Sequence, residues 1–298
     1  MKSFMCSDGR VLEVIPGFRE QVLSYRAPVT PKADWGEAEY SAAAEKKERR
    51  LKHLLNSFSA VWGKLDRARI LDVGCGDGAN CFLLAREKTI QMAVGIDLHL
   101  PLVASDQKGE LTRKLLERML GPGPHREADL LQMDGTRMAF GDESFDIVMS
   151  RSAMEHIKPV EVALEEMTRV VRSGGLIYLG IDPFYWVRGC HKRGVVDIPW
   201  AHARMSLEDY TRFVSEYEDP GVSAKRRERL ETLNRFTVGQ WRTLIDSIPP
   251  EVLKWEQRQS KVGQDYLDQF PDISNTSLPG VAVTDLLTER IEVWLRKR

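Results

Sequence analysis

Three glycines at alternate positions, Gly74, Gly76 and Gly78, close the phrase I-L-D-V-G-C-G-D-G-A from Ile70 to Ala79. An apolar run (Ile70, Leu71, Val73) leads into them, and a helical pattern opens at Ala79. A strand, a glycine turn and a helix start let backbone N–H groups come close to a ligand. The spacing is G-x-G-x-G, not the G-x-G-x-x-G of dinucleotide binders. Asp97 closes V-G-I-D, 25 residues after Asp72, near the spacing of a ribose-binding acid. A carboxylate suits that task because it accepts two hydroxyl protons at once. A second group of reactive side chains lies in G-C-H-K-R-G-V-V-D-I-P-W-A-H, Gly189 to His202, which holds His191, Asp197, Trp200 and His202. Imidazole titrates near about 6.5 and a phenol near about 10, so a placed histidine is a sensible general base toward a hydroxyl at neutral pH.

The elements that must position these groups alternate in type. Strands are expected at Arg69–Val73, Ala93–Ile96, Ala128–Met133, Phe145–Ser150 and Gly175–Ile181. Helices are expected at 79–88, 108–120 and 159–172, the last ended by Gly174 and Gly175. Alternating strands and helices imply an α/β fold: a doubly wound, mostly parallel sheet. Residues 37–62 read as a long helix, with Leu51, Leu54, Leu55, Phe58 and Trp62 on one stripe. Tyr40 on that helix reads as a surface or packing side chain, the alternative being one that reaches a ligand beneath the helix. Thr237–Ile248 reads as a helix, and Val252–Gln259 and Glu289–Leu295 alternate as half-buried strands do. Residues 182–236 interrupt the order with helix-rich, aromatic and basic sequence, and read as an inserted cap. Ser206 is the expected N-cap of a helix there.

The glycine phrase, Asp97, Asp134 in Q-M-D-G, the S-F-D phrase inside Phe140–Ser150 and the E-H pair Glu155–His156 stand in one order. That order resembles the class I S-adenosylmethionine-dependent methyltransferases. The resemblance implies a Rossmann-like seven-stranded sheet with an antiparallel terminal strand. It implies S-adenosyl-L-methionine as cofactor and S-adenosyl-L-homocysteine as product. Asp72 would orient the turn and the cofactor's ammonium. The loop Gly74, Cys75, Gly76 and Gly78 would meet its amino-acid part and sugar. Asp97 would hold the ribose, Leu98 would pack on adenine, and Asp134 with Gly135 would meet the adenine amino group. Ser150 and Arg151 would border the methionine end. The expected organisation is an N-terminal arm and helix over 1–68, a cofactor-binding core over 69–181 and 237–298, and a cap over 182–236. I-D-P-F-Y (Ile181–Tyr185) looks like a nucleic-acid amino-methylation motif, but it follows the fifth strand instead of the fourth and lacks a proline. It reads as a turn leaving the sheet.

Methyl transfer from a sulfonium needs the acceptor, methyl and sulfur aligned and water excluded. His191 or His202 is the candidate base, with Trp186 and Trp200 as walls of an acceptor pocket; the alternative is that both histidines stabilise the loop. The trio His191, Asp197 and His202 has metal-ligand types but no known metal spacing, so no metal is expected. The formal net charge of -1 over 298 residues gives no global pull toward nucleic acid. The basic run Lys225–Arg229 reads as a solvated helix face rather than a nucleic-acid patch. Four scattered cysteines, with Cys6 alone near the N-terminus, make no disulfide framework or zinc site. No apolar run approaches the ~18 residues of a membrane span, and a cytoplasmic location is expected. The acceptor is expected to be a small molecule methylated at oxygen, against RNA or protein methylation or cofactor binding without chemistry. Oligomeric state is open between monomer and homodimer.

Overall fold

The computed structural model describes residues 2–24, 31–63, 65–121 and 128–298. Its strands are β1 (Lys2–Met5), β2 (Val11–Val14), β3 (Ala68–Val73), β4 (Ile90–Asp97), β5 (Asp129–Gln132), β6 (Phe145–Arg151), β7 (Val171–Ile181), β8 (Glu251–Gln259) and β9 (Thr288–Arg296). β1 and β2 pair as an antiparallel hairpin. The other seven make one sheet in the order β5-β4-β3-β6-β7-β9-β8, mostly parallel with an antiparallel terminal strand.

The apolar runs of the sequence explain this order. Ile70, Leu71 and Val73 are fully buried, as a strand covered on both faces requires. β3 pairs in parallel with β4 (Val73 opposite Ile96) and with β6 (Asp72 opposite Met149). The chain steps outward from β3 to β5 and then returns to β6 on the other side. That reversal beside β3 is where ligands of open sheets bind, beyond the carboxyl ends of the strands.

Helices Glu37–Trp62, Ala79–Arg86, Gln107–Leu120 and Val160–Val170 agree with the sequence patterns to within two residues at each end. β7 is longer than expected. It begins at Val171, directly after the helix, so Gly174 and Gly175 do not end that helix. Phe145 faces Val171 and Ile147 faces Leu176, so the two glycines sit in a register shift of β7.

The chain divides into two compact units. One comprises Ala27–Gly180, Ile248–Trp255 and Glu292–Arg298, and the other Met1–Arg26, Ile181–Ser247 and Glu256–Ile291. This corrects the expected boundaries. The segment 1–68 does not stay together, because its first 26 residues belong with the cap while the long helix belongs with the sheet. Residues 237–247 and 256–291 also join the cap, with helices Lys261–Gln269, Ile273–Thr276 and Val283–Leu287 that the sequence pattern did not reveal.

Each unit has its own core. In the sheet unit, Leu54 and Phe58 of the long helix pack with Ile70, Ile147, Leu176 and Tyr178. Tyr40 is buried there too, edge-on to Trp35 at 5.4 Å. In the second unit, Phe4, Leu12, Phe18 and Val22 of the N-terminal arm pack with Trp200, Tyr210, Phe213 and Leu286. No described helix is long and apolar enough to cross a membrane.

Candidate functional site

The carboxyl ends of β3, β4, β5 and β6 bring the sequence-predicted cofactor residues to one edge of the sheet unit. The turn after β3 is tight. Gly74 and Cys75 both donate their backbone N–H to the Ile96 carbonyl, at 2.8 and 3.0 Å. Gly74 has φ +77, and a Cβ there would lie 2.3 Å from Cβ of Ala153. Gly76 has φ +57, and a Cβ there would meet nothing within 4 Å, so it would project into open space where a ligand can approach. Gly78 is the N-cap of helix Ala79–Arg86.

Asp72 is the most perturbed acid of this edge. It is 1% exposed, and burial pushes its carboxyl up to about 7, with the Asn80 side chain and then the Arg151 guanidinium opposing the shift. Asn80 Nδ2 donates to Asp72 Oδ2 over a long 3.3 Å. A buried carboxylate held so weakly calls for a further cation or donor. Asp97 Oδ2 accepts the Gly76 N–H at 2.9 Å and its Oδ1 accepts the His99 N–H at 3.0 Å, which aims the carboxylate along the glycine loop. The next side chain, Leu98, is 55% exposed. Asp134 spends Oδ1 on the Thr136 N–H and hydroxyl, both at 2.8 Å. The Met133 N–H donates to the Asp97 carbonyl at 3.0 Å, tying the third strand end to the second. Gly135 is buried against Val73, whose Cγ1 a Cβ would meet at 3.1 Å. Ser150 is fully buried at the end of β6, and its Oγ has no hydrogen-bond partner among the described residues. An under-compensated acid, an orphaned hydroxyl and an open glycine loop fit a ligand that carries an ammonium and hydroxyls, as S-adenosyl-L-methionine does.

Two residues of this edge escaped the sequence reading. Lys47, on the long helix, meets Asp77 Oδ2 at 2.6 Å, and Asp77 Oδ1 accepts the Ala79 N–H at 3.1 Å. The helix is thereby tied to the glycine loop. Asp77 was visible inside G-C-G-D-G; nothing near Lys47 in sequence marked it among its charged neighbours. Glu155 is buried in the 3-10 turn Met154–His156.

The histidines of the second unit differ from each other. His202 is buried, with Nε2 3.0 Å from the Trp186 carbonyl and Nδ1 3.2 Å from Cys190 Sγ. A carbonyl only accepts, so Nε2 carries the proton and Nδ1 faces the thiol. Burial pushes the Cys190 thiol up, which keeps it protonated, so it donates to Nδ1. Burial also pushes His202 down to about 4, with the Trp186 carbonyl opposing. Both ring nitrogens are therefore committed inside the unit. His191 is half-buried, and its backbone is left-handed at φ +54, a strained conformation for a residue with a side chain. Burial lowers its pKa, while the Asp182 carboxylate acts the other way.

The trio His191, Asp197 and His202 is not assembled as a metal cluster among the described residues. Asp197 Oδ1 instead accepts the Arg19 N–H at 2.9 Å. Trp186 and Trp200 are both buried in the apolar cluster of their unit, and neither indole N–H has an acceptor among the described residues. Ser206 caps its helix as expected, its hydroxyl accepting the Asp209 N–H at 3.0 Å. The basic run is not a uniformly solvated face, because Arg226 is 7% exposed.

A seven-stranded doubly wound sheet, a G-x-G-x-G turn after its first strand and acids at the next strand ends define a methyltransferase domain of the Rossmann-like kind. Residues 71–179 match the family model described as "Methyltransferase domain". Over that segment the chain is similar to the class I S-adenosylmethionine-dependent methyltransferases. Demethylmenaquinone methyltransferase of Roseiflexus castenholzii is 30% identical over 109 residues, which is 37% of this chain and 40% of that protein. Ubiquinone biosynthesis O-methyltransferase of Sinorhizobium medicae is 29% identical over 115 residues, 39% of this chain and 41% of that protein. The matched segments thus span less than half of the length of these curated relatives. Magnesium protoporphyrin IX methyltransferase from Synechocystis PCC 6803, solved with bound S-adenosyl-L-homocysteine, superposes with a TM-score of 0.50 at 9% identity, covering 95% of this chain and 96% of that one. That likeness shows the fold.

Proposed function

We propose that the protein transfers a methyl group from S-adenosyl-L-methionine to a small-molecule acceptor, at a hydroxyl. The carrying observation is Asp72, a buried carboxylate at the end of the first sheet strand, pushed up to about 7 and short of partners. An ammonium placed against it would restore its ordinary acidity. The cofactor supplies the electrophilic methyl; the chain binds and orients it. Asp72 takes the ammonium, Gly76 leaves room beside the sugar, and Asp97 accepts from the ribose. Leu98 covers adenine, and Asp134 and Gly135 receive its amino edge. Ser150 and Arg151 stand at the methionine end.

The small-molecule reading is supported by the similar proteins, a demethylmenaquinone methyltransferase and a ubiquinone biosynthesis O-methyltransferase among them. Nε2–H and Nδ1 of His202 are both engaged, which suits a positioning role, so we assign the base to His191. Its lowered pKa keeps it neutral at pH 7, and its strained backbone is the kind of cost found at working sites. Trp186 and Trp200 support the loop that carries it. Four buried free thiols fit a reducing, cytoplasmic compartment.

Calorimetric titration with S-adenosyl-L-homocysteine tests the cofactor half. Wild type binds, and Asp97→Ala binds at least about tenfold more weakly, the loss of one charge-assisted contact. Equal affinity in the two proteins overturns the assignment. For the base, His191→Gln keeps that affinity and loses turnover on a hydroxyl acceptor with the alkaline-rising limb of the pH profile; unchanged turnover removes His191 from the reaction.

A further inference from the structure

We infer that the second unit carries a binding pocket for a phosphoryl dianion, a phosphate or diphosphate group on a small molecule, formed by Arg19, Lys192, Arg193 and Lys225. A cavity of about 380 Å³ is lined by Arg19, Lys192, Arg193, Val222, Lys225 and Arg226. Five of these six side chains are cationic, so the charge balance of the pocket decides what it can hold.

Arg226 is the built part. It is buried, pairs with Glu218, and donates Nη1 to the carbonyls of Arg193 at 2.8 Å and Val195 at 2.9 Å. Its charge is thus already met, and it fixes helix Pro220–Thr232 against helix His191–Gly194. The others are not met in this way. Lys192, Arg193 and Lys225 are exposed, and among the described residues none has a carboxylate at ion-pair distance. Arg19 touches the exposed carboxylate of Glu20 at 3.1 Å, while its Nε is buried with no hydrogen-bond acceptor among the described residues. One helical turn from Lys225, Arg229 is pushed below its ordinary value by burial and then by the like charge of Arg193.

Cations crowded at a cavity repel one another, and an anion held among them relieves that cost. Guanidinium forks match phosphate oxygens two at a time, and ammonium groups add charge without fixed direction. A compact anion fits better than a polymer. Beyond Val222 a neighbouring hollow is lined by Glu216 and Asp219, whose carboxylates repel a continuing polyanion. The inference is independent of the methyl-transfer reading, since none of these residues belongs to the cofactor edge.

The test is calorimetric titration of the full chain with sodium pyrophosphate and, separately, orthophosphate, in dilute chloride buffer. Pyrophosphate binds saturably. Lys192→Gln, Arg193→Gln and Lys225→Gln, each exposed and so compatible with folding, weaken it by about tenfold apiece. Lys261→Gln, an exposed cation elsewhere in the same unit, leaves it unchanged. S-adenosyl-L-homocysteine affinity stays constant in all four variants, because none touches the cofactor edge, and unchanged melting and amide exchange across 181–247 and 256–291 report that the second unit is intact. No saturable binding of either phosphate at millimolar concentration overturns the inference, as does equal binding by the three variants. A single-stranded RNA oligonucleotide that displaces pyrophosphate and binds with a steep salt slope also overturns it, assigning the cations to nucleic acid.

Discussion

Asp72 and His202 are both buried and both far from their ordinary pKa, yet they act on stability in opposite directions. Asp72 is raised in the folded state, to about 7 from 3.8, so the fold resists ionising it. Its stabilising contribution is fully present below about pH 4 and is lost as pH rises through about 7. Asp72→Asn removes that dependence. Without cofactor the variant should melt above wild type at pH 8, with the gap closing toward pH 4, while cofactor-product stabilisation disappears in the variant alone. A scanning-fluorimetry series over pH checks this; a variant that melts below wild type at pH 8 would mean Arg151 and Asn80 already satisfy the acid. His202 is lowered to about 4, so its contribution is present above about 6.5 and is lost as pH falls through about 4. The sequence disclosed Asp72 because its place between an apolar run and three glycines is a local pattern. It gave no means of ranking His191 and His202. What separates them is a carbonyl and a thiol, Trp186 and Cys190, that only the folded loop places against His202.

The glycine turn makes a graded prediction, because its members are constrained for different reasons. Gly76 needs only its left-handed backbone, so Gly76→Ala costs roughly 1–2 kcal/mol. Gly74 needs that and the missing Cβ, since Cβ of Ala153 lies 2.3 Å from where one would stand. Gly74→Ala should therefore cost roughly 1–3 kcal/mol more, and should separate β3 from the turn after β6 that carries Ala153. Melting temperatures should fall by about 2–4 °C for each kcal/mol in a unit of this size. The order Gly74→Ala below Gly76→Ala below wild type is the expected result; equal losses would remove the close approach at Gly74. The alternating strands and helices of the sheet were legible because burial on both faces demands continuous apolar runs such as Ile70–Val73. The helix tie Lys47–Asp77 was not, since 30 residues separate the partners. Nor was the start of β7, where Val171 continues a helical apolar pattern and only pairing with Phe145 makes it a strand.

The division of the chain into two cores was the least legible feature, and the reason is topological. The second core is assembled from three stretches of chain, so no window of sequence contains it. The N-terminal arm looked irregular because a hairpin of two four-residue strands and a seven-residue helix carry too few periods to detect. Its side chains are nonetheless among the most buried in the molecule. Phe18 is 2% exposed and stands edge-on to Tyr266 with ring centroids 5.1 Å apart, joining the first residues of the chain to residues near the last. The arm is further fixed by polar contacts: Ser7 donates its N–H and hydroxyl to the Asp209 carboxylate, and Ile15 donates its N–H to the Asp197 carbonyl at 2.7 Å. Removing one ring should therefore act on a distant part of the sequence. Phe18→Ala leaves a cavity and should cost the second unit about 3–5 kcal/mol, a large share of the ~5–15 kcal/mol that holds a typical domain. Amide exchange should accelerate across 181–247 and 256–291, the stretches that share its core. Exchange in β3, β4 and β6, and affinity for S-adenosyl-L-homocysteine, should hold, because the cofactor residues draw on the other core. Uniform acceleration through both units would show instead that the cores unfold as one.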